Sequence, residues 1–393
     1  MCRSGPALRI ADEALRIEGA NFDGALARRA FGHILLIKPS SLGDIVHALP
    51  VLRGLRRRYP EARIDWLVAR SCAGLLAGHP DLDDAIIFER KRFGRLGRNW
   101  SASVEFCRFL KSLRERRYDL VIDLQGLFRS GFLALASGAE VRLGFSNARE
   151  AAWIFYTHRL RARPSAIHAA EKNYAVARVL GFGNEPMAFD LAVRDEERHK
   201  AVELLAASGL PRGERFAAVL PGARWETKRW YPERFAEVLD RLAAECGLPG
   251  VLMGAADERE VCAAVAARCR SHPVNLAGQT GLREMTALLG LAAVVLCHDS
   301  APMHLAAAQQ RPLVCLLGPT SPERTGPYGA AATILRVDLP CSPCYLRKLS
   351  QCRFHHTCMQ EITATAVTRA AAAVLQNTPA ETDERSVSSV ESA

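Results

Sequence analysis

Short β-branched apolar runs alternate with amphipathic helical patterns along almost the whole chain. "HILLIK", "RIDWLVA", "DAIIFE" and "YDLVIDLQ" occupy the first half; "FAAVLPGA", "GVLMGA", "VNLAG", "AAVVLCHDS" and "PLVCLLGP" occupy the second. Continuous apolar strands joined by helices call for parallel sheets covered on both faces. The alternation pauses between residues 185 and 215, at the charged helix "RDEERHKAVELLAASG" and the turn "LPRGER". The expected fold is therefore α/β, with two doubly wound parallel-sheet domains facing a cleft, over residues 31–195 and 212–360. Residues 1–30 read as an extension with one or two helical turns. Residues 361–376 read as a last helix packing back on the first domain, and the polar residues 377–393 as a disordered tail.

In such sheets ligands bind outside the carboxyl ends of the strands. The polar and glycine-rich residues fall there: "KPSSLGD" (38–44), Asp123 to Gly126, Pro221-Gly222-Ala223, His298-Asp299-Ser300 and "LLGPTSPERTGPYG". "KPSSLGD" is neither a P-loop nor a Rossmann glycine fingerprint. Asp44, Ser40 or Ser41 would each serve as a helix cap. A carboxylate at that strand tip would equally accept a proton from a substrate hydroxyl, with Gly43 allowing close backbone approach. His47, a turn later, reads as a helix-face contact rather than a second base.

"CHDSAPMHLAAA" (297–308) ends a strand and starts a small-residue helix, with His304 in its first turns. Free N–H groups at such a start suit an anion, phosphate above all; an ordinary cap with a packed histidine is the other reading. In "LPGARWETKRWYPERF", Lys228 precedes Pro232, well placed at a helix N1 position. It would neutralise a phosphate as a point charge, or else be a solvated loop lysine.

The net charge of +10 over 393 residues favours an acidic partner. Nucleic acid is disfavoured, because no basic strand interleaves aromatics. No window holds the 18 or so apolar residues of a membrane span, and the N-terminus lacks a signal-peptide apolar run. Cys72, Cys107, Cys246, Cys262, Cys269, Cys297 and Cys315 read as buried small hydrophobes. Cys341, Cys344, Cys352 and Cys358 cluster, with His355 and His356 between them. C-x-x-C followed by two more thiols is metal-like, though not zinc-ribbon spacing; a reduced or disulfide-prone loop is the alternative.

Taken together, the strand-end motifs resemble glycosyltransferase family 9, the ADP-heptose:lipopolysaccharide heptosyltransferases, from about Gly32 to Leu375. The first loop, the K-x-W of Lys228 to Trp230 and the D-[ST]-x-x-x-H of Asp299 to His304 carry the resemblance. It implies a GT-B fold: two Rossmann-like domains, acceptor in the first and nucleotide-sugar donor in the second. It implies inverting transfer of a heptose from ADP-heptose to the Kdo–lipid A inner core, without a catalytic metal. Asp44 would be the general base and Lys228 would stabilise the leaving diphosphate. Asp299, Ser300, Ala301 and His304 would hold the donor. Glu258, or Asp257, would reach a ribose or sugar hydroxyl, and Thr280 would lie beside the base. Ser41, Gly43, Gln125, Arg129 and Arg149 would meet the acceptor, with His168 and Glu171 as further contributors. Similar cysteines occur in a subset of the family, so the cluster reads as structural.

Ser300-Ala301 replaces a common Thr-Gly, and Ala223-Arg224 replaces a Thr-Thr. Both bear on the donor base and sugar, so another nucleotide sugar or another surface-glycan acceptor is the second reading. Arg90, Lys91, Arg92, Arg95, Arg98, Arg108, Lys111, Arg114, Arg116 and Arg117 would either draw the protein to anionic lipid at the inner leaflet or form a solvated face. The resemblance thus implies a cytoplasmic monomer, peripherally bound to the inner membrane.

Overall fold

The computed structural model describes residues 15–18, 24–94, 99–162, 168–330 and 332–377. Of the expected tail 377–393, residues 378–393 lie outside them, as do Arg95 and Arg98. The chain divides into two compact units, Met1–Ala192 and Val193–Ala393.

The first unit is built on β1 (Leu15–Glu18), β2 (His33–Ile37), β3 (Arg63–Ala69), β4 (Asp84–Phe88), β5 (Leu120–Asp123), β6 (Val141–Phe145) and β7 (His158–Ala162). Their order across the sheet is β1-β7-β6-β5-β2-β3-β4. Every pairing is parallel except β1 with β7. The expected helical extension thus contributes an antiparallel edge strand, with one helical turn at Ala25–Arg28. Ile34, Leu35, Leu36 and Ile37 are wholly buried, as a strand covered on both faces requires.

After β2 come α1 (Leu42–Val46) and α2 (Leu49–Arg58), where a single helix was expected. Pro50 explains the break: inside a continuous helix its ring would clash with the carbonyl of Val46. Basic α3 (Trp100–Glu115) and α4 (Phe128–Ala136) follow. Several of the crowded cations already have acids. Arg92 pairs with Glu105, Arg116 with Asp65 and Asp84, and Lys111 with Glu115. That weakens the region as a purely electrostatic membrane surface.

The second unit starts with α5 (Asp195–Ala207), the charged helix expected in the seam; it packs on α7 (Leu282–Leu291). Buried Glu197 takes hydrogen bonds from Arg194 and Arg283, which hold its carboxyl down at about 2. The sheet order is β10-β9-β8-β11-β12-β13, all parallel. These strands are β8 (Ala217–Leu220), β9 (Gly250–Leu252), β10 (Val274–Asn275), β11 (Val294–His298), β12 (Leu313–Leu316) and β13 (Ala332–Leu335). α6 (Pro232–Cys246) opens on the expected proline, and α8 (Ala301–Ala308) follows β11.

α9 (Ala364–Gln376) corrects the expectation of a helix packed back on the first domain. Its Val367, Ala371 and Val374 are buried in the second unit's core, against α6 and β11 to β13. An apolar helix stripe buries against whatever apolar surface lies next in the chain, and here that is its own sheet. Cys107 and Cys246 are exposed rather than buried; the other five scattered cysteines lie in the cores.

Candidate active site

Each sheet reverses its strand order once. The chain leaves β2 toward β3 and β4, then crosses to β5 on the other side; the second unit does the same at β8 and β11. Adjacent loops diverge at such a switch point and leave a crevice at the strands' carboxyl ends. The singled-out loops after β2 and β5, and after β8 and β11, lie at these two points; the loop 317–330 follows β12, one strand further on.

In the first unit, Ser41 caps α1 and Asp44 reaches back to it. The Ser41 N–H and hydroxyl both donate to Asp44 Oδ2, each at 2.8 Å. The capping reading of Asp44 therefore holds for one oxygen. The other, Oδ1, faces Lys38, whose Nζ is 3.5 Å away. Lys38 is buried and donates to the Leu124 carbonyl at the end of β5, at 2.9 Å. A buried ammonium is costly unless paired, so the cation, the carbonyl and the carboxylate fix one another. Asp44 remains 42% exposed in its side chain, open to a ligand. Sequence reasoning gave Lys38 no role; a lysine directly after the apolar run Ile34–Ile37 was the available signal.

Asp123, fully buried at the tip of β5, shapes the neighbouring loop. It accepts from the N–H groups of Gln125 and Gly126 and from Tyr156 Oη. Burial pushes its carboxyl above the usual range, against those bonds. Among the described residues Gln125 Oε1 is buried with no hydrogen-bond partner. The Arg149 N–H donates to Gly126 O at 3.0 Å, so Gln125 and Arg149 share one corner. Arg129 is exposed, its guanidinium 5.9 Å from the Phe88 ring centre. His47 turns inward, edge-on to His168 at 5.0 Å, as expected of a helix-face contact. His168 Nδ1 accepts from the Ala170 N–H and caps the next helix, which gives it a local structural task.

In the second unit, Lys228 Nζ donates to Asp299 Oδ2 at 2.7 Å and to Asp299 O at 2.9 Å. It also stands 4.5 Å over the Trp225 ring. Ser300 caps α8, and its Oγ donates to His298 O at 3.3 Å. Ala301 opens the helix and His304 is buried one turn in. Glu258 closes the β9 loop by accepting from the Ala255 N–H at 2.9 Å. It lies so near Gly222 that a Cβ there would meet Glu258 Oε1 at 2.1 Å. Thr280 is half-buried beyond Gly278, whose N–H donates to Gly254 O, so its loop adjoins that of Glu258. Asp257 is exposed.

His298, read from the sequence only as part of a polar strand end, ties these loops. Its Nε2 accepts from the Trp230 N–H at 2.9 Å, so Nδ1 carries the proton toward Gly222 O at 3.4 Å. Burial pushes the imidazole down to about 4, a neutral ring at ordinary pH.

The cysteine segment is stitched to the Lys228 turn. The Glu226 N–H donates to Arg347 O, Thr227 Oγ1 to Leu346 O and the Leu349 N–H to Glu226 Oε2. His356 Nε2 bonds Thr227 O at 2.8 Å. The segment thereby lays the Arg347 guanidinium 5.0 Å from the Trp225 ring centre. Lys228 and Arg347 thus share one indole, within about 10 Å of each other. All four cysteines are free, and burial, then its neighbours Cys344, Cys352 and Cys341, raise the Cys358 thiol to about 11. Among the described residues no group of three or more His, Cys, Asp or Glu could hold a metal ion, so the structural-metal reading finds no support. His356 is committed to the Lys228 turn instead.

Two Rossmann-like parallel-sheet units, with carboxylate and cationic side chains at their switch points, have the GT-B glycosyltransferase fold. The family model for glycosyltransferase family 9 (heptosyltransferase) matches residues 106–355, and the chain belongs to that family. It is 32% identical to lipopolysaccharide heptosyltransferase 1 of Pseudomonas aeruginosa, over 79% of this chain and 85% of that one. The solved Escherichia coli ADP-heptose lps heptosyltransferase II is 27% identical with a TM-score of 0.72, covering 88% of this chain and 98% of its own. The E. coli heptosyltransferase WaaC, solved with ADP-2-deoxy-2-fluoro heptose, is 25% identical with a TM-score of 0.68, covering 86% and 98%. The protein is a glycosyltransferase, of the family that builds the lipopolysaccharide core.

Proposed function

We propose that the protein transfers a heptose from ADP-heptose to the lipopolysaccharide inner core, on the Kdo–lipid A side, with inversion. The carrying observation is the Lys228–Asp299 pair beside Arg347, at the switch point of the second unit. Asp299 neutralises Lys228 at 2.7 Å, whereas no carboxylate lies within ion-pair distance of Arg347 among the described residues. In this reading Arg347 adds the net positive charge that a diphosphate needs, beside the first turn of α8.

Asp44 Oδ1 takes the proton of the acceptor hydroxyl. The freed oxygen attacks the anomeric carbon from the face opposite the diphosphate. The bond from that carbon to the β-phosphate oxygen breaks, and ADP leaves with the electron pair. Lys228, Arg347 and the α8 N–H groups receive the developing charge. Base catalysis of this kind typically contributes ~10²–10⁴-fold. The reading calls for no cofactor. Gln125 Oε1, Arg149, Arg129, Ser41 and Gly43 bind the anionic acceptor sugar; Glu258, Thr280, Ser300, Ala301 and His304 bind the donor. The enzyme works as a monomer at the cytoplasmic face of the inner membrane.

The test is calorimetric titration with ADP, ADP-heptose, UDP and GDP, followed by transfer to a Kdo-bearing acceptor with the product anomer read by NMR. Selective ADP and ADP-heptose binding with an inverted product supports the reading. Preference for UDP or GDP moves the enzyme to another donor. A retained anomer removes Asp44 as sole base.

A further inference from the structure

Four of the nine exposed large hydrophobic residues among the described residues sit on two adjoining segments of the first unit. Phe128 and Leu135 are on α4, while Trp153 and Ile154 are on the short 3-10 turn Ala152–Phe155. Each is at least 40% exposed. Phe128, Phe132 and Leu135 are spaced i, i+4, i+7, one stripe of the helix. The Phe155 ring meets Phe128 at 5.1 Å and Phe132 at 6.3 Å, so stripe and turn form one surface. Gly131 makes that possible, because a Cβ there would lie 2.7 Å from the Phe155 ring and 2.9 Å from Ala152 O.

The turn is entered through Glu150 and Ala151, both left-handed at φ 53° and 54°. Neither is glycine, so the chain holds unfavourable backbone there. The result is to present Trp153 and Ile154 to solvent. A contiguous exposed patch of this kind marks an interaction surface.

Its rim is cationic. Arg159 stands 4.9 Å over the Trp153 ring, and Arg129 and Arg149 flank the two segments. None of the three has a carboxylate within ion-pair distance among the described residues. The one acid on the turn, Glu150, accepts from the Phe128 N–H at 3.2 Å. Tryptophan and aliphatic side chains ringed by arginine suit the boundary between phospholipid headgroups and acyl chains. The patch also continues directly from the acceptor corner: Phe128 follows Gln125-Gly126-Leu127, and Trp153 follows Arg149.

We infer that this face docks on an anionic phospholipid bilayer. Phe128, Leu135, Trp153 and Ile154 enter the interface; Arg159 meets lipid phosphates, while Arg129 and Arg149 stay with the acceptor at the edge of the face. The inference rests on the reading that the acceptor is lipid-borne, and it moves the membrane contact from the basic stretch 90–117 to this aromatic face.

The test is co-sedimentation of the full chain with vesicles of phosphatidylcholine alone, or of phosphatidylcholine mixed with phosphatidylglycerol. Wild-type protein should bind the mixed vesicles and not the neutral ones. The double variant Trp153→Ser/Ile154→Ser should lower that partitioning on the order of tenfold while keeping transfer to a water-soluble, deacylated acceptor. Arg159→Gln should weaken it in a salt-dependent way. Undiminished vesicle binding by the double variant overturns the inference. So does a concentration-dependent dimer that the double variant abolishes, which would give the face to a second copy. A wild-type protein that transfers sugar to the deacylated acceptor yet ignores anionic vesicles overturns the face and spares the function. Vesicle binding through this face without any transfer does the reverse.

Discussion

Lys38 Nζ stands 3.5 Å from Asp44 Oδ1 and donates to Leu124 O, so one buried cation joins the two strand ends of the first switch point. Ser41 holds Asp44 Oδ2, and Oδ1 is the oxygen that faces Lys38. In the proposed mechanism Lys38 therefore orients the oxygen that takes the proton. Lys38→Met should lower kcat by about 10–100-fold with donor affinity unchanged, and Asp44→Asn by ~10²–10⁴-fold. Steady-state kinetics with donor titration reads both. Near-normal turnover in Asp44→Asn would remove it as base.

Arg347 should show itself in nucleotide selectivity. Arg347→Ala is expected to weaken ADP by about tenfold, roughly the 1.4 kcal/mol of a partly exposed charge–phosphate contact, and to leave AMP unchanged. Arg347→Lys should recover part of the loss. Calorimetry with both nucleotides checks it; equal effects on ADP and AMP would place Arg347 elsewhere than at the diphosphate.

His298 predicts an acid limit to stability. Its pKa falls from the ordinary 6.5 to about 4 in the fold, mainly through burial, with Lys228 and Arg229 adding to the shift. The unfolded chain then binds more protons between those values. The contribution is complete above pH 6.5 and is lost as pH falls through about 4. By linkage it amounts to about 3 kcal/mol at full extent. Urea unfolding at several pH values should show wild type losing stability over this window. His298→Gln, less stable at pH 7, should show a shallower slope.

Gly222 predicts a coupled pair. An added Cβ would fall 2.1 Å from Glu258 Oε1, the end of a side chain that can swing away. Gly222→Ala should therefore cost little stability, about 1 kcal/mol or less, while displacing Glu258. Donor affinity should fall as it does in Glu258→Ala, and the double variant should be no worse than either single one. Additive losses in the titration would separate the two positions.

The sequence by itself determined the two parallel sheets, because strands buried on both faces must be continuously apolar and their helices must follow a 3.6-residue stripe. It also determined the strand-end loops, since polar and glycine residues at strand tips have few other uses. It did not determine which oxygen of Asp44 Ser41 would hold and which would face Lys38, or that Asp299 would pair with Lys228 rather than stand alone. It gave no sign that Arg347 shares an indole with Lys228, more than 100 residues earlier in the chain. Those contacts join positions with no periodic relation to one another, and only packed strand order brings them together. The final helix shows the same division: its apolar stripe was legible, but which sheet it covers was decided by packing. Likewise α4 carries its Phe128–Phe132–Leu135 stripe in plain sight, yet only packing decides that Phe132 turns to the core while Phe128 and Leu135 stay exposed beside the left-handed turn at Glu150 and Ala151.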